Sequence, residues 1–336
     1  MKKKALMLAG ATAATALVVS GCSGSGGGGE GGSYTWDFTI TTSDSSTWYK
    51  GAEKFGELLD EKSDGRMTLN IVANEQLSGG DPAAGVEMLA DGSKAFSYNS
   101  PIIYSGIDQR FGAITAPFLF ESLEEVDPVL EGTGAEAYDQ LLDEMGIEFL
   151  GFGESGFRQL TNADTEVTAP KDLAGMKFRV AGSALFLDIY KELDADPVSM
   201  NWAEVFTSLQ NGTIDGQENP LDIIHSSSLA EVQKNLTLWN YVYDPLLLGM
   251  NKGMFDELSP EDQQIVTEAA AEANEYQVQL NRDLADEQLT ELEGQMEVTE
   301  LTPEQLEEFR TAMEPVYAKY EGEWTPEIFD KVQPQG

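Results

Sequence analysis

Tyr34–Thr42 reads YTWDFTITT, an alternation of apolar and polar residues rich in β-formers, and it predicts a strand. Trp48, Ala52, Phe55 and Leu59 then recur at helical spacing, with Gly65 as the stop, and Met67, Leu69 and Ile71 mark a second strand. Pro82 to Asp91 reads as a helix ended by Gly92, and Ala95 to Tyr98 as a third strand. Such a β-α-β-α-β run needs a sheet with helices on its faces.

The rhythm restarts downstream. Strands are expected at Ile147–Phe152, Phe157–Thr161 and Met176–Val180. Asn201–Asn211 is expected as a helix, with Asn201 as a capping residue, Glu204 three residues on and Gly212 as the stop. Its apolar residues Trp202, Val205, Phe206 and Leu209 share one face. Asp215–Pro220 (DGQENP) reads as a polar turn ahead of an apolar helix. No internal repeat is visible, so two α/β lobes are the economical reading.

One helix is unusually long. Ser259 caps, Pro260 occupies the first turn, and no breaker follows until Gly294. Some 30 residues at about 1.5 Å each reach about 45 Å, more than one small lobe spans. Its apolar positions are too sparse for a coiled-coil seam, so it should bridge the lobes. The expected fold is α/β, a two-lobed periplasmic-binding-protein-like architecture with hinge strands and a long helix spanning both lobes. Lobe I would comprise residues 34–155 plus 245–283, and lobe II residues 156–244 plus 284–336.

The N-terminus reads differently. Lys2, Lys3 and Lys4 precede a short apolar run from Ala5 to Val19, the pattern of a secretory signal over residues 1–21. Val19-Ser20-Gly21-Cys22 resembles the lipobox of bacterial lipoproteins, which implies lipidation at Cys22 and an extracytoplasmic, membrane-anchored protein. Ordinary signal cleavage beside an incidental cysteine is the alternative. Residues 22–33, rich in Gly and Ser, suit a flexible tether and carry neither the Walker lysine nor the Rossmann spacing.

A formal net charge of −39 makes nucleic acid a poor partner and limits membrane contact to the anchor. The acids are spread along the whole chain, which suits a solvated surface better than steering of a cationic ligand. With Cys22 as the one cysteine, no internal disulfide can form.

Catalytic chemistry finds little support. Asp222, His225, Ser226, Ser227 and Ser228 include the residue types of a triad but lie within seven residues of each other, without spatial convergence or an oxyanion hole. His225 is the one histidine, no EF-hand pattern occurs, and no metal, cofactor or catalytic residue is expected.

Arginine carries more information, because the chain has only six. Arg158 and Arg179 each lie inside an apolar, strand-like segment. A guanidinium stays charged when buried, and its planar fork matches a carboxylate. On spacing alone, a structural salt bridge to one of the many acids and a ligand clamp both remain open. Asn219 is equally a ligand amide or a helix cap, and Trp202 a core residue or a stacking surface.

Taken together, several segments resemble the extracytoplasmic solute-binding proteins of tripartite ATP-independent periplasmic (TRAP) transporters, the DctP family. The resemblance rests on Gly156-Phe-Arg-Gln-Leu-Thr-Asn, on Pro170-Lys-Asp-Leu-Ala-Gly-Met-Lys-Phe-Arg-Val, and on the run from Pro197-Val-Ser-Met-Asn-Trp to Gly216-Gln-Glu-Asn-Pro. Glu61-Lys-Ser-Asp-Gly-Arg and Ala116-Pro-Phe-Leu-Phe fit upstream, and the match runs over nearly the whole chain from Tyr34. It implies a non-enzymatic protein that captures a small organic acid and delivers it to the small and large membrane subunits of an ion-gradient-driven permease. It further implies Arg179 as the clamp on the ligand carboxylate, Arg158 as a second cation, Asn219 as a hydrogen-bonding amide and Trp202 as an aromatic wall. Thr41, Asn99 and Ser100 would line the opposite wall. The chain departs from the family at Gly92-Ser-Lys-Ala95, where an acid is usual. It has no arginine between Asn99 and Tyr104, which argues against a heavily charged ligand, and Lys177 stands where ectoine-binding members carry a tryptophan. A binding protein of an ATP-driven importer and a surface lipoprotein hydrolase are the alternatives.

Overall fold

The computed structural model describes residues 32–334; the expected signal segment, Cys22 and nearly all of the expected tether lie outside them. Ten strands run in chain order as β1 (Tyr34–Ile40), β2 (Met67–Val72), β3 (Phe96–Asn99), β4 (Ile147–Asn162), β5 (Lys177–Val180), β6 (Asp196–Ser199), β7 (Gly216–Pro220), β8 (Asn235–Leu238), β9 (Tyr243–Asn251) and β10 (Glu297–Glu300). Their spatial order is β2-β1-β3-β9-β4-β7-β5-β6, with β8 between β4 and β10. The alternation at Tyr34–Thr42 predicts a strand, and β1 forms there, paired in parallel with β2 and β3. A second parallel group, β7-β5-β6, builds the other lobe.

The two expected strands at Ile147–Phe152 and Phe157–Thr161 are one continuous strand of 16 residues. The first part of β4, up to Phe157, pairs with β9; Arg158 to Asn162 pairs with β7. Thus β4 passes from one sheet into the other, with β9 paired along its first part. Glycines that look like breakers instead serve bulges: the register shifts between Phe149 and Phe152 and between Glu154 and Gly156, where Gly151 and Gly156 take φ of 106° and 103°.

Bulging takes backbone groups out of the ladder, and they need other partners. Gln277 of the long helix supplies them, its Oε1 accepting from the Glu154 N–H at 2.8 Å and its Nε2 donating to the Glu154 carbonyl at 2.8 Å. That helix runs Pro260–Glu293, 34 residues, with the Ser259 hydroxyl accepting from the Asp262 N–H as the cap. Its buried Ala269, Ala270 and Ala273 let it lie close against the helix Thr47–Lys62 beside β1. Farther along it packs on the helix Leu221–Ser226 and touches β10 on the other sheet. The fold is therefore α/β and two-lobed, with crossing hinge strands and one helix spanning both lobes. No described helix is long and apolar enough to cross a membrane.

Two further expectations need correction. Gly216–Pro220 is not a turn but a fully buried strand, because Gln217, Glu218 and Asn219 all find partners within the fold. Asn201 does stand at the cap position of helix Trp202–Gln210, but its side chain makes no capping bond there.

Candidate functional site

The carboxyl ends of β1, β3, β5 and β7 converge where the two sheets meet. There, Thr41, Asn99 and Ser100 of the first lobe and Arg158, Arg179, Trp202 and Asn219 of the second line one narrow cavity of about 40 Å³. All seven residues singled out in the sequence come together. A water needs roughly 10–15 Å³ of such space, so the lobes leave room for only a small molecule between them.

The two buried arginines differ sharply in company. Arg158 is tied down completely. Its Nε and Nη2 bind the Glu218 carboxylate, Nη1 donates to Asp244 Oδ2 at 2.6 Å, and Nη2 also reaches the Asn219 side-chain carbonyl at 3.1 Å. This guanidinium matches the salt-bridge alternative, and although burial opposes its charge, the two acids hold its pKa above the usual arginine value. Arg179 is just as buried, at 4 % exposure, yet it makes no ion pair among the described residues. Its Nε and Nη2 share the backbone carbonyl of Met200 at 3.0 and 2.8 Å, and its guanidinium carbon lies 5.3 Å from the Trp202 ring centroid. Burial without a counter-ion pushes its pKa down to about 10; Glu218 opposes the shift and Arg158 adds to it. It remains charged at neutral pH.

Asp244 was not foreseen in the sequence. Fully buried on β9, it lines the same cavity, takes the Ser100 hydroxyl at 2.6 Å on Oδ1, and is raised to about 6 by burial despite Arg158 beside it. Glu218, equally unforeseen, neutralises Arg158 from within the supposed turn. Around Asn219, the amide nitrogen donates to Gln217 Oε1 at 2.6 Å, leaving one N–H unaccounted for. On the opposite wall, Asn99 Oδ1 accepts from the Thr41 hydroxyl and the Ser100 N–H, both at 3.0 Å. Its Nδ2 meets no acceptor among the described residues, nor does the indole N–H of Trp48, another cavity residue.

Among the described residues no catalytic arrangement emerges elsewhere. Asp222 is buried and bonded to Thr47 and Gln288, while His225 faces Glu291 at 2.6 Å. Among the described residues no cluster of three or more His, Cys, Asp or Glu could hold a metal ion. A larger depression, about 440 Å³, lies beside Lys171, Glu304, Glu307 and Glu308. It is open, and three glutamates outnumber its one lysine, so the smaller interlobe cavity with its two buried arginines is the better candidate for an organic acid.

Comparison with known proteins places this geometry in context. The family model for bacterial extracellular solute-binding protein family 7 (DctP) matches residues 38–323. The 2,3-diketo-L-gulonate-binding periplasmic protein of Escherichia coli K12 is 32% identical over 260 residues, covering 77% of this chain and 78% of its own length. The sugar acid binding protein of Advenella mimigardefordensis, solved with galactonate, superposes with a TM-score of 0.86 at 31% identity, covering 90% of this chain and 97% of its own. A TRAP periplasmic solute-binding protein of Ralstonia eutropha H16, solved with (S)-2-acetolactate, gives a TM-score of 0.86 at 30% identity, covering 89% and 97% respectively.

Proposed function

We propose, from the premise that this chain belongs to family 7 of the bacterial extracellular solute-binding proteins, the binding components of TRAP transporters, that it captures a small organic acid between its lobes through Arg179. The family's members are binding proteins rather than enzymes. The observation that carries the reading is a buried guanidinium with no carboxylate partner at a cavity lined by both lobes. A buried charge without a counter-ion is costly, and a bound carboxylate would relieve that cost with a charge-assisted, planar bond. Trp202 would flank the carboxylate, Asn219 would offer its spare N–H, and Arg158, its charge answered by Glu218 and Asp244, would hold the Asn219 side chain in place. Thr41, Asn99 and Ser100 would meet the ligand from the first lobe. Similar proteins bind a diketo sugar acid, galactonate and acetolactate, which supports an acid of this kind here.

Contacts from both walls make closure ligand-dependent, since a ligand shifts a conformational equilibrium only by binding one state better. The moving bodies are residues 34–155 plus 245–283 and residues 156–244 plus 284–336. The closed form would hand its cargo to the small and large subunits of an ion-gradient-driven permease. We also read Cys22 as the lipidated N-terminus of the mature protein, holding it at the membrane surface on the residue 22–33 tether. Screening organic acids by thermal shift tests the binding reading, because ligand at 100 times its Kd stabilises by about 2.7 kcal/mol. If no acid raises the Tm of the wild type, the reading fails. Loss of membrane retention in Cys22→Ser tests the anchor.

A further inference from the structure

Arg179 deals with one end of a ligand. What meets the other end is decided by the first-lobe wall, where Thr41, Thr42, Trp48, Asn99, Ser100 and Ile102 line the cavity without a single cation. Two donors on this wall are unsatisfied. Trp48, 4 % exposed, has an indole N–H with no acceptor among the described residues, and Asn99, 0 % exposed, has an amide nitrogen in the same condition. Buried donors are rarely left unpaired in a folded protein, and an unpaired one that lines a cavity calls for an acceptor from outside. The Asn99 orientation is not arbitrary: its carbonyl oxygen is held by Thr41 and by the Ser100 N–H, so the amide nitrogen is the end left over. Trp48 sits at the start of the helix Thr47–Lys62, anchored by the bonds of Thr47 to Asp222 and Asn281. Beside this wall the Asp244 carboxylate is already bonded to Arg158 and Ser100, so no cation is left free there to receive a second anion.

We propose that the Trp48 indole N–H and the Asn99 amide select a monocarboxylate bearing hydroxyl or keto oxygens over a dicarboxylate or a bare alkanoate. The proposal rests on the reading that the cleft binds an organic acid through Arg179 and names the chemistry of that acid's other end. Neutral oxygens accept from both donors without bringing a second charge to a wall with no free cation. An alkanoate leaves both donors empty, and a site built for hydrogen bonds rejects a partner that lacks them more strongly than it rejects a misfitting methyl group.

The test is titration calorimetry of wild type, Trp48→Phe and Arg179→Lys with D-erythronate, galactonate, 2-oxobutanoate, butanoate and succinate. The oxygenated monocarboxylates should bind wild type at least tenfold more tightly than butanoate or succinate. Trp48→Phe keeps an aromatic side chain, smaller than the indole, and loses the N–H, so it should weaken the oxygenated acids by about 3- to 10-fold and leave butanoate within twofold. A Tm within a degree or two of wild type shows that packing is kept. Tightest binding by succinate, abolished in Arg179→Lys, overturns this inference while leaving the Arg179 reading intact. An equal loss for butanoate and erythronate in Trp48→Phe reduces Trp48 to packing and also overturns it. Failure of every acid to bind wild type removes both.

Discussion

Arg158 and Arg179 flank β7 from opposite sides, and Glu218 on that strand is bonded to the first and not to the second. Two guanidiniums with the same burial thus face different electrostatic balances. The Arg158 charge is answered inside the protein; that of Arg179 waits for something to arrive. Sequence position alone could not separate them, and the separation assigns them different mutational signatures.

Arg179→Ala should abolish detectable binding, a loss of about 2–5 kcal/mol for removing a desolvated charge partner. Arg179→Lys should fail nearly as badly, since an ammonium cannot reproduce the fork over Trp202 and Met200. Neither change should lower the stability of the ligand-free protein appreciably, because no ion pair is broken. Binding within a few-fold of wild type for the alanine variant, by calorimetry, removes Arg179 from the site.

Arg158→Ala should do the reverse and act first on the fold. It strands Glu218 and Asp244 in the interior without their cation, and breaking a buried pair from one side costs about 3–5 kcal/mol. Urea unfolding should show that loss without any ligand present. A midpoint unchanged from wild type would mean that the network around Arg158 contributes little.

Asp244 predicts a pH dependence. Its carboxyl, ordinarily near 3.8, is raised to about 6 in the folded chain. The folded state therefore holds this proton more tightly than the unfolded one, and the stability that protonation contributes is present below about pH 4 and lost as pH rises towards 6. Binding follows the same sign. Arg158, Arg179, Glu218 and Asp244 sum to no net charge when all are ionised, so an incoming carboxylate favours protonated Asp244. Affinity should rise as pH falls from 8 to 6, by up to tenfold per unit if a whole proton is taken up. Asp244→Asn should flatten that slope; an unchanged slope assigns the proton elsewhere.

Much of this was legible in advance. Alternation at Tyr34–Thr42, the Ser259–Pro260 start and the Gly294 stop each reflect a local rule, and the long helix runs between those signals as written. Thr41, Asn99, Ser100, Arg179 and Asn219 meet in one cavity because parallel strands deliver their carboxyl ends to the same edge, while Arg158 arrives on antiparallel β4 and Trp202 at the start of a helix. What escaped was set by distant partners. Gln217-Glu218-Asn219 violates every strand pattern until Arg158 and Thr161 on β4 satisfy it. Asp244 is the lone acid in the largely apolar β9, explicable only by Arg158 and Ser100. Trp48 falls at core spacing on its helix, and its empty N–H has no signature in sequence at all.

Closure itself can be tested away from the ligand. Gly106, just after the first-lobe helix Pro101–Tyr104, lies so close to the loop after β5 that a Cβ on it would sit 2.3 Å from the Gly182 carbonyl oxygen. Beside it, the hydroxyls of Ser105 and Ser183 are bonded across the same gap at 2.8 Å. The obstacle is backbone, not the tip of a flexible side chain, so a residue at 106 can be accommodated only if the two loops move apart. Its φ is not in the left-handed region, so an added side chain would strain the contact rather than the local chain. Gly106→Val should therefore leave each lobe folded while penalising the closed state. Solution scattering should show a larger radius of gyration in the presence of acid than wild type has, and affinity should fall at least tenfold although no residue lining the cavity has changed. Gly106→Ala should show the same effect more weakly. Equal compaction and equal affinity in Gly106→Val would mean that the loops bearing Gly106 and Gly182 need not meet for the cleft to hold its ligand.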